Sequence, residues 1–132
     1  MTATPRVVLG LGLRRGTPAA ELLRTADVAL AACGLDRSAV ALVATLESKL
    51  AEPGLCAAAR ELDVPVVGHP AAALAAVPVA GSARVAAAVG TPSVAEAAAL
   101  TSAGPGGRLL APRTATATAT AALAVPAQEA TR

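Results

Sequence analysis

Two adjacent arginines follow a glycine-rich segment near the start of the chain. The strand-like residues 7–13 end at Arg14 and Arg15, and residues 16–18 then lead into a segment with helical spacing. Guanidinium groups bind anions, and so do the free N–H groups at the start of a helix. Glycines let a ligand approach the backbone closely. We therefore predict a site for a carboxylate or a phosphate, formed by Gly12, Arg14, Arg15, Gly16 and Thr17.

Two other segments also place polar side chains at or just before the start of a predicted helix. Lys49, the only lysine of the chain, and Glu52 lie in a predicted loop between a strand and a helix. Ser93 and Glu96 lie in the first turns of a later helix. A lysine or a buried carboxyl group can transfer a proton once its surroundings shift its pKa, so Lys49 and Glu96 are the candidate acid–base residues. The alternative is a surface ion pair worth less than about 1 kcal/mol for Lys49 and helix-dipole compensation for Glu96.

The composition argues against nucleic-acid and membrane functions. The formal net charge is +2 and the aromatic content is 0%, so the chain has neither a basic surface nor rings for base stacking. Prolines interrupt the longest uncharged segment, and no leader pattern is found, so we expect a cytoplasmic protein without a membrane span. Alanine supplies 38 of the apolar residues. The thin core that this implies favours modest stability and self-association into a homo-oligomer.

Metal, redox and nucleotide sites are also disfavoured. The chain has one histidine, His69, and its cysteines Cys33 and Cys56 are far apart. No zinc site is expected, and both cysteines are interpreted as buried free thiols. The glycine spacing in residues 10–16 is one residue longer than the dinucleotide fingerprint, so a nucleotide site is a distant alternative. No cofactor is predicted.

Short apolar runs alternate with helical segments, which predicts a three-layer α/β/α domain over residues 1–132, with an ordered core of about 5–125. Thr17 is expected to cap the first helix, with Pro18 at its first helical position. The last two strands are joined by too few residues for a crossover and must pair antiparallel, so the sheet is mixed and mostly parallel. The predicted strands cover about 5–13, 39–46, 64–68, 108–112 and 114–125, and the helices about 17–33, 53–62, 70–76, 82–89 and 92–103.

Ligands of such sheets bind at the carboxyl ends of the strands. The predicted elements place residues 12–17, 45–52 and 68–69 around one edge of the sheet. The sequence therefore predicts that the arginine pair, Lys49 and Glu52 lie near each other.

Four segments carry a resemblance to a known family: GLGLRRGT at 10–17, KLAEPGL at 49–55, VGTPSVAEAAAL at 89–100 and GGRLLAPR at 106–113. Together they resemble a family of cobalamin-biosynthesis proteins, which comprises the stand-alone CobE proteins and the C-terminal domain of CbiG. Two positions depart from the family pattern: Leu13 stands where the family usually has cysteine, and Arg113 where it has lysine.

The resemblance implies a protein of the vitamin B12 pathway that binds a precorrin or corrinoid, a tetrapyrrole with an apolar ring and acidic side chains. Two alternatives stay open: a cobalt-precorrin lactone hydrolase of the CbiG type, and a non-catalytic accessory subunit of a precorrin methyltransferase or oxidase. The resemblance leaves open whether the chain is an enzyme. The residues expected to contact the ligand are Gly12, Arg14, Arg15, Gly16, Thr17, Lys49, Glu52, Ser93 and Glu96.

Overall fold

A computed structural model describes residues 6–77, 94–111 and 113–127 of the chain. Within these ranges the strands are β1 (Val7–Leu13), β2 (Val40–Leu46), β3 (Val66–His69), β4 (Arg108–Leu109), β5 (Thr114–Ala115) and β6 (Ala119–Val125). The helices are α1 (Ala19–Ala32), α2 (Pro53–Leu62), α3 (Ala71–Ala75) and α4 (Val94–Ala103), with short 3-10 turns at Arg37–Ala39 and Glu47–Lys49. The expected helix over 82–89 and the predicted site residue Ser93 lie outside the described residues.

The strands form one mixed sheet in the order β3-β2-β1-β6-β4, and β5 also pairs with β6. Strands β1, β2 and β3 are parallel, whereas β6 is antiparallel to β1. Because β4 and β5 are antiparallel to β6, they run in the same direction as β1. The prediction of a mixed, mostly parallel sheet with an antiparallel pair at the end is confirmed.

Helices cover both faces of the sheet, which confirms the three-layer α/β/α architecture. Alternate residues of β1 point to opposite faces, as strand geometry requires. Leu9 and Leu11 contribute to a core beneath α1 and α2 that contains Leu22, Leu30 and Leu55. A second, smaller core on the other face contains Val8, Ala44, Leu74, Ala97, Ala98, Ala99 and Ala124.

Helix α4 packs directly on β1 because glycines leave room for it. A Cβ atom on Gly10 would lie 2.0 Å from the backbone oxygen of Ala95 and 2.9 Å from the Cβ of Ala99. A Cβ atom on Gly12 would lie 2.6 Å from Oγ1 of Thr120. Protein atoms therefore fill the space beside both residues: the backbone of α4 lies against Gly10, and the Thr120 side chain of β6 lies against Gly12. A ligand contact by Gly12 stays a prediction.

The first turn of α1 differs from the expectation. The prediction that Thr17 caps the helix is wrong, because the helix begins at Ala19 and Pro18 occupies the cap position in an extended conformation. The Thr17 hydroxyl is used elsewhere, since it donates to the backbone oxygen of Arg14 at 2.7 Å. It is therefore oriented toward the preceding loop and not toward the helix.

The alternating Thr–Ala segment also differs from the expectation. The prediction of one strand over 114–125 is wrong, because the segment folds back on itself as β5, a tight turn and β6. The N–H of Thr116 donates to the oxygen of Ala119 at 2.8 Å and closes this hairpin. Threonine and alanine alternate on both sides of the turn, so the pattern alone does not mark it.

The environments of the two cysteines agree only in part with the prediction from the sequence. Cys33 is partly buried and Cys56 is exposed, and both are free thiols. The prediction of a buried thiol is therefore wrong for Cys56, whose Sγ lies 3.4 Å from the oxygen of Leu50.

Among the described residues, no helix is both long and apolar enough to cross a bilayer.

Replacement of Gly10 by alanine is expected to destabilise the protein by about 1–3 kcal/mol, because the new methyl group overlaps the backbone of α4. Urea unfolding followed by far-ultraviolet circular dichroism measures the loss. Gly34→Asn is the control, because Gly34 has φ +72 and open space beside it. Asparagine tolerates this conformation, so the control should lose about 1 kcal/mol or less. Equal stability of Gly10→Ala and the unsubstituted protein would show that α4 is not seated tightly on β1.

Candidate functional site

The loops that follow β1, β2 and β3 lie at one edge of the sheet, here called the carboxyl edge (residues 14–18, 47–52 and 69–70). Gly10 of β1 is in register with Ala44 of β2, and Leu46 of β2 is in register with His69 of β3. Because the three strands are parallel, their carboxyl ends meet at this edge. The sequence prediction that residues 12–17, 45–52 and 68–69 share an edge is thus confirmed.

The first of these loops is held by a carboxylate. The N–H of Gly16 donates to Oε1 of Glu52 at 2.8 Å, which connects the β1–α1 loop to the start of α2. Gly16 has φ +82, a conformation that favours glycine. A Cβ atom on Gly54 would lie 2.0 Å from the oxygen of Thr17, so the first turn of α2 also packs closely on this loop. Glu52 therefore already accepts the backbone N–H of Gly16, which the sequence predicts to bind an anionic ligand.

Thr17 fixes the same loop from the other side. The residue is 3% exposed, and its hydroxyl lies 3.3 Å from the oxygen of Thr118 in addition to its bond with Arg14. The N–H of Arg14 donates to the same oxygen of Thr118 at 3.0 Å. The β5–β6 turn thus holds the backbone of Arg14, and Thr17 supports the loop from inside the protein.

Arg14 and Arg15 extend outward from this fixed loop. Both residues are exposed, and within the described ranges neither guanidinium forms a hydrogen bond or an ion pair. Their donors are available to a molecule in solution. A guanidinium presents five N–H donors in a planar fork that matches a carboxylate.

Lys49 and Glu52 lie in the second loop, close to each other. Lys49 ends a 3-10 turn and is partly buried, and its backbone oxygen accepts the N–H of Glu52 at 3.0 Å. The edge also carries the exposed carboxylate of Glu47. Cations and carboxylates are therefore interspersed here, and anion binding would depend on which groups point outward more than on the net charge.

Glu21, in the first turn of α1, is a further carboxylate near this loop. The hydroxyl of Thr116 lowers the pKa of Glu21, burial opposes this, and the paired guanidinium of Arg24 lowers it further. The Thr116 hydroxyl also lies 2.9 Å from that of Thr25 on α1. This polar cluster attaches α1 to the β5–β6 turn, and Glu21 stays ionised at neutral pH.

Glu96 is buried in the first turn of α4 and pairs with Arg113. The Glu96 side chain is 2% exposed, and its Oε1 lies 3.5 Å from Nη1 of Arg113, whose side chain is 41% exposed. Of the two sequence interpretations of Glu96, the buried acid agrees with this geometry. Sequence reasoning identified Arg113 only as a departure from the family pattern, because nothing in the chain order links positions 96 and 113.

Two further features were not predicted as sites. Nε2 of His69, at the end of β3, lies 2.7 Å from Oγ of Ser102 in the last turn of α4. A cavity of about 600 Å³ lies between α3, α4 and the loop 104–107, and Leu100 and Leu109 line it. None of the predicted ligand-binding residues that the structure describes lines this cavity. The described part of the chain contains no cluster of three metal-ligating side chains.

Comparison with curated proteins gives a clear relative. The chain is 42% identical over 128 residues to the protein CobE from a Sinorhizobium species, and the match covers 92% of this chain and 80% of the relative.

Solved structures agree with this comparison. A crystal structure of CobE, a protein from the cobalamin (vitamin B12) biosynthetic pathway, has a TM-score of 0.76 and 31% sequence identity. That match covers 94% of this chain and 92% of the other. The cobalamin biosynthesis protein chiG from Agrobacterium tumefaciens has a TM-score of 0.68 and 33% identity, over 91% of this chain and 98% of the other.

The family model for the cobalamin synthesis G C-terminus matches residues 7–124, nearly the whole chain. Together with the 42% identity to CobE, this match shows the family. The chain therefore belongs to the cobalamin synthesis G C-terminal family and is a protein of the cobalamin biosynthesis pathway.

Proposed function

We propose that this protein binds a precorrin or corrinoid intermediate at the carboxyl edge of its sheet. The observation that carries the proposal is the pair Arg14 and Arg15, exposed on a loop whose backbone is held by Glu52 and by the β5–β6 turn. A precorrin is a polyacid, with acetate and propionate groups around an apolar ring. Guanidinium–carboxylate contacts are charge-assisted and often bidentate, so two adjacent arginines suit this ligand class.

The fixed loop matters for the affinity. A hydrogen bond to a charged group contributes about 1.5–3 kcal/mol. Ordering a long side chain on binding costs about 0.5–1.5 kcal/mol. Because the loop backbone is already ordered, the side chains alone lose freedom when the ligand binds. The two arginines together should then contribute on the order of 2 kcal/mol, which corresponds to about 30-fold in affinity.

The other predicted residues have different roles in this proposal. Glu52 and Thr17 hold the loop, and Lys49 adds a third cation at the edge. Ser93 enters on the sequence alone. Lys49 and Glu96 are the titratable groups for proton transfer if the bound intermediate reacts. Transfer of the intermediate to another enzyme of the pathway needs only the binding step, which is the part that the geometry supports.

Arg14→Ala/Arg15→Ala should weaken binding of a tetrapyrrole polyacid by about 10- to 100-fold, because both outward guanidinium groups are lost. Uroporphyrin, an octacarboxylate, and coproporphyrin, a tetracarboxylate, are suitable probes since they share one ring. Wild type should prefer uroporphyrin, and the variant should lose most of that preference. Porphyrin fluorescence, which is excited and emitted in the visible region, measures both affinities.

Arg6→Ala/Arg60→Ala is the matched control, since both arginines are exposed, lie outside the carboxyl edge and change the charge equally. The control should bind like wild type. Equal affinities of the two double variants would refute the arginine site. If wild type binds neither the porphyrins nor hydrogenobyrinic acid but co-purifies with a precorrin methyltransferase or oxidase, the accessory-subunit alternative replaces the binding proposal.

Glu52 has two effects at the carboxyl edge: it accepts the N–H of Gly16, and it adds a negative charge. Two substitutions of Glu52 separate these effects. Glu52→Gln keeps an oxygen that accepts the N–H of Gly16 but removes a negative charge, whereas Glu52→Ala removes both. Glu52→Ala should therefore bind uroporphyrin about 2- to 10-fold more weakly than Glu52→Gln, the range expected for one lost hydrogen bond. Both affinities are measured by the same fluorescence titration. Tighter binding by Glu52→Ala would mean that Glu52 does not order the loop and acts only through its charge.

A further inference from the structure

Glu96 is an unusual residue for its position. The neighbouring buried residues of α4 are all alanine: Ala95, Ala97, Ala98 and Ala99. The Glu96 side chain is 2% exposed and pairs with Arg113, which keeps 41% of its side chain exposed. Burial of an ionised carboxylate is costly, and an apolar pair of similar volume is often at least as stable. Stability alone therefore gives no reason for a charged pair here.

Glu96 lies close to the end of β1 that carries the arginine loop. The first turn of α4 packs over Gly12, since a Cβ atom on Gly12 would lie 3.7 Å from the Cβ of Val94. Gly12 is two residues from Arg14 in the chain. Glu96 thus belongs to the turn of α4 that is nearest to the carboxyl edge.

The sheet register gives the position of Arg113 relative to β1. Arg113 directly precedes β5, in which Thr114 pairs with Ala121 of β6. Ala121 in turn pairs with Leu11 of β1. Neighbouring strands are about 4.8 Å apart, so the chain at Arg113 lies about 10 Å across the sheet from β1. Because β5 runs in the same direction as β1, Arg113 is level with Gly10 and lies about 13 Å along the strand from Arg14. This separation is on the scale of a tetrapyrrole with its acidic side chains.

We infer that Arg113 is a further cationic contact for the tetrapyrrole polyacid, and that the buried Glu96 is the residue that positions it. This inference rests on the proposed function. Glu96 contacts one nitrogen of the guanidinium, and the exposed remainder keeps N–H donors for a ligand carboxylate. Arg14 and Arg15 then bind acidic groups on one side of the macrocycle and Arg113 binds a group on another. Glu96 offsets part of the Arg113 charge, so its contribution should be smaller than that of the arginine pair.

Arg113→Gln should weaken uroporphyrin binding by about 3- to 10-fold and reduce the preference for uroporphyrin over coproporphyrin. This variant leaves the Glu96 charge buried without Arg113, and it can lose stability for that reason alone. The double variant Glu96→Gln/Arg113→Gln removes both charges and thereby the buried imbalance. Thermal unfolding followed by circular dichroism should show that the double variant is folded. Its uroporphyrin affinity should be as low as that of Arg113→Gln, because the ligand contact is still missing.

Arg108→Gln is the control, since Arg108 is an exposed arginine at the start of β4 and away from the carboxyl edge. It should bind both porphyrins like wild type. Wild-type affinity in the Glu96→Gln/Arg113→Gln variant would overturn the inference and leave the arginine-loop proposal intact, because Arg113 would then serve only to neutralise Glu96. Failure of wild type to bind uroporphyrin and hydrogenobyrinic acid would instead overturn the proposed function, and this inference with it.

Discussion

The close approach of α4 to β1 is the constraint on which the rest of the structure depends. Gly10 allows the backbone of Ala95 to lie where a side chain would otherwise be, and alanines on α4 complete a thin layer. This explains why a chain so rich in alanine and glycine still folds: short side chains give up buried area, but they let the backbones pack at short range. The same approach sets the first turn of α4 over the end of β1. The position of Glu96 near the carboxyl edge is thus a consequence of glycine packing.

Short-range contacts also fix the backbone of the β1–α1 loop. The N–H groups of Arg14 and Gly16 and the hydroxyl of Thr17 form hydrogen bonds within the protein, to Glu52, to Arg14 and to the β5–β6 turn, and so they hold the loop instead of a ligand. What the loop offers to solvent is the pair of guanidinium groups. An ordered backbone with free cationic side chains is an arrangement that reduces the entropic cost of binding.

Local patterns in the sequence predict the structure correctly. The start of α2 follows from Pro53, and the shared edge of three loops follows from the β–α–β order. Predictions from the sequence fail where a tertiary contact decides the outcome. Thr17 is a good capping residue by type, but its hydroxyl is drawn to Arg14. The contact between Glu96 and Arg113 links α4 to the segment that precedes β5, and no rule based on residue spacing in the sequence predicts it.

The distribution of charge is more informative than its sum. A net charge of +2 suggests no preference for anions, yet the acids and the bases have different positions. Glu52 accepts a loop N–H and Glu96 is buried against Arg113, so both carboxylates are already paired with protein groups. Arg14 and Arg15 have no such partners within the described ranges and face solvent. Carboxylates used in this way reduce the electrostatic repulsion that an incoming polyacid meets, because their charge is already offset by N–H groups or a guanidinium. A nearly neutral protein can therefore present a cationic edge to a ligand that carries many acidic groups.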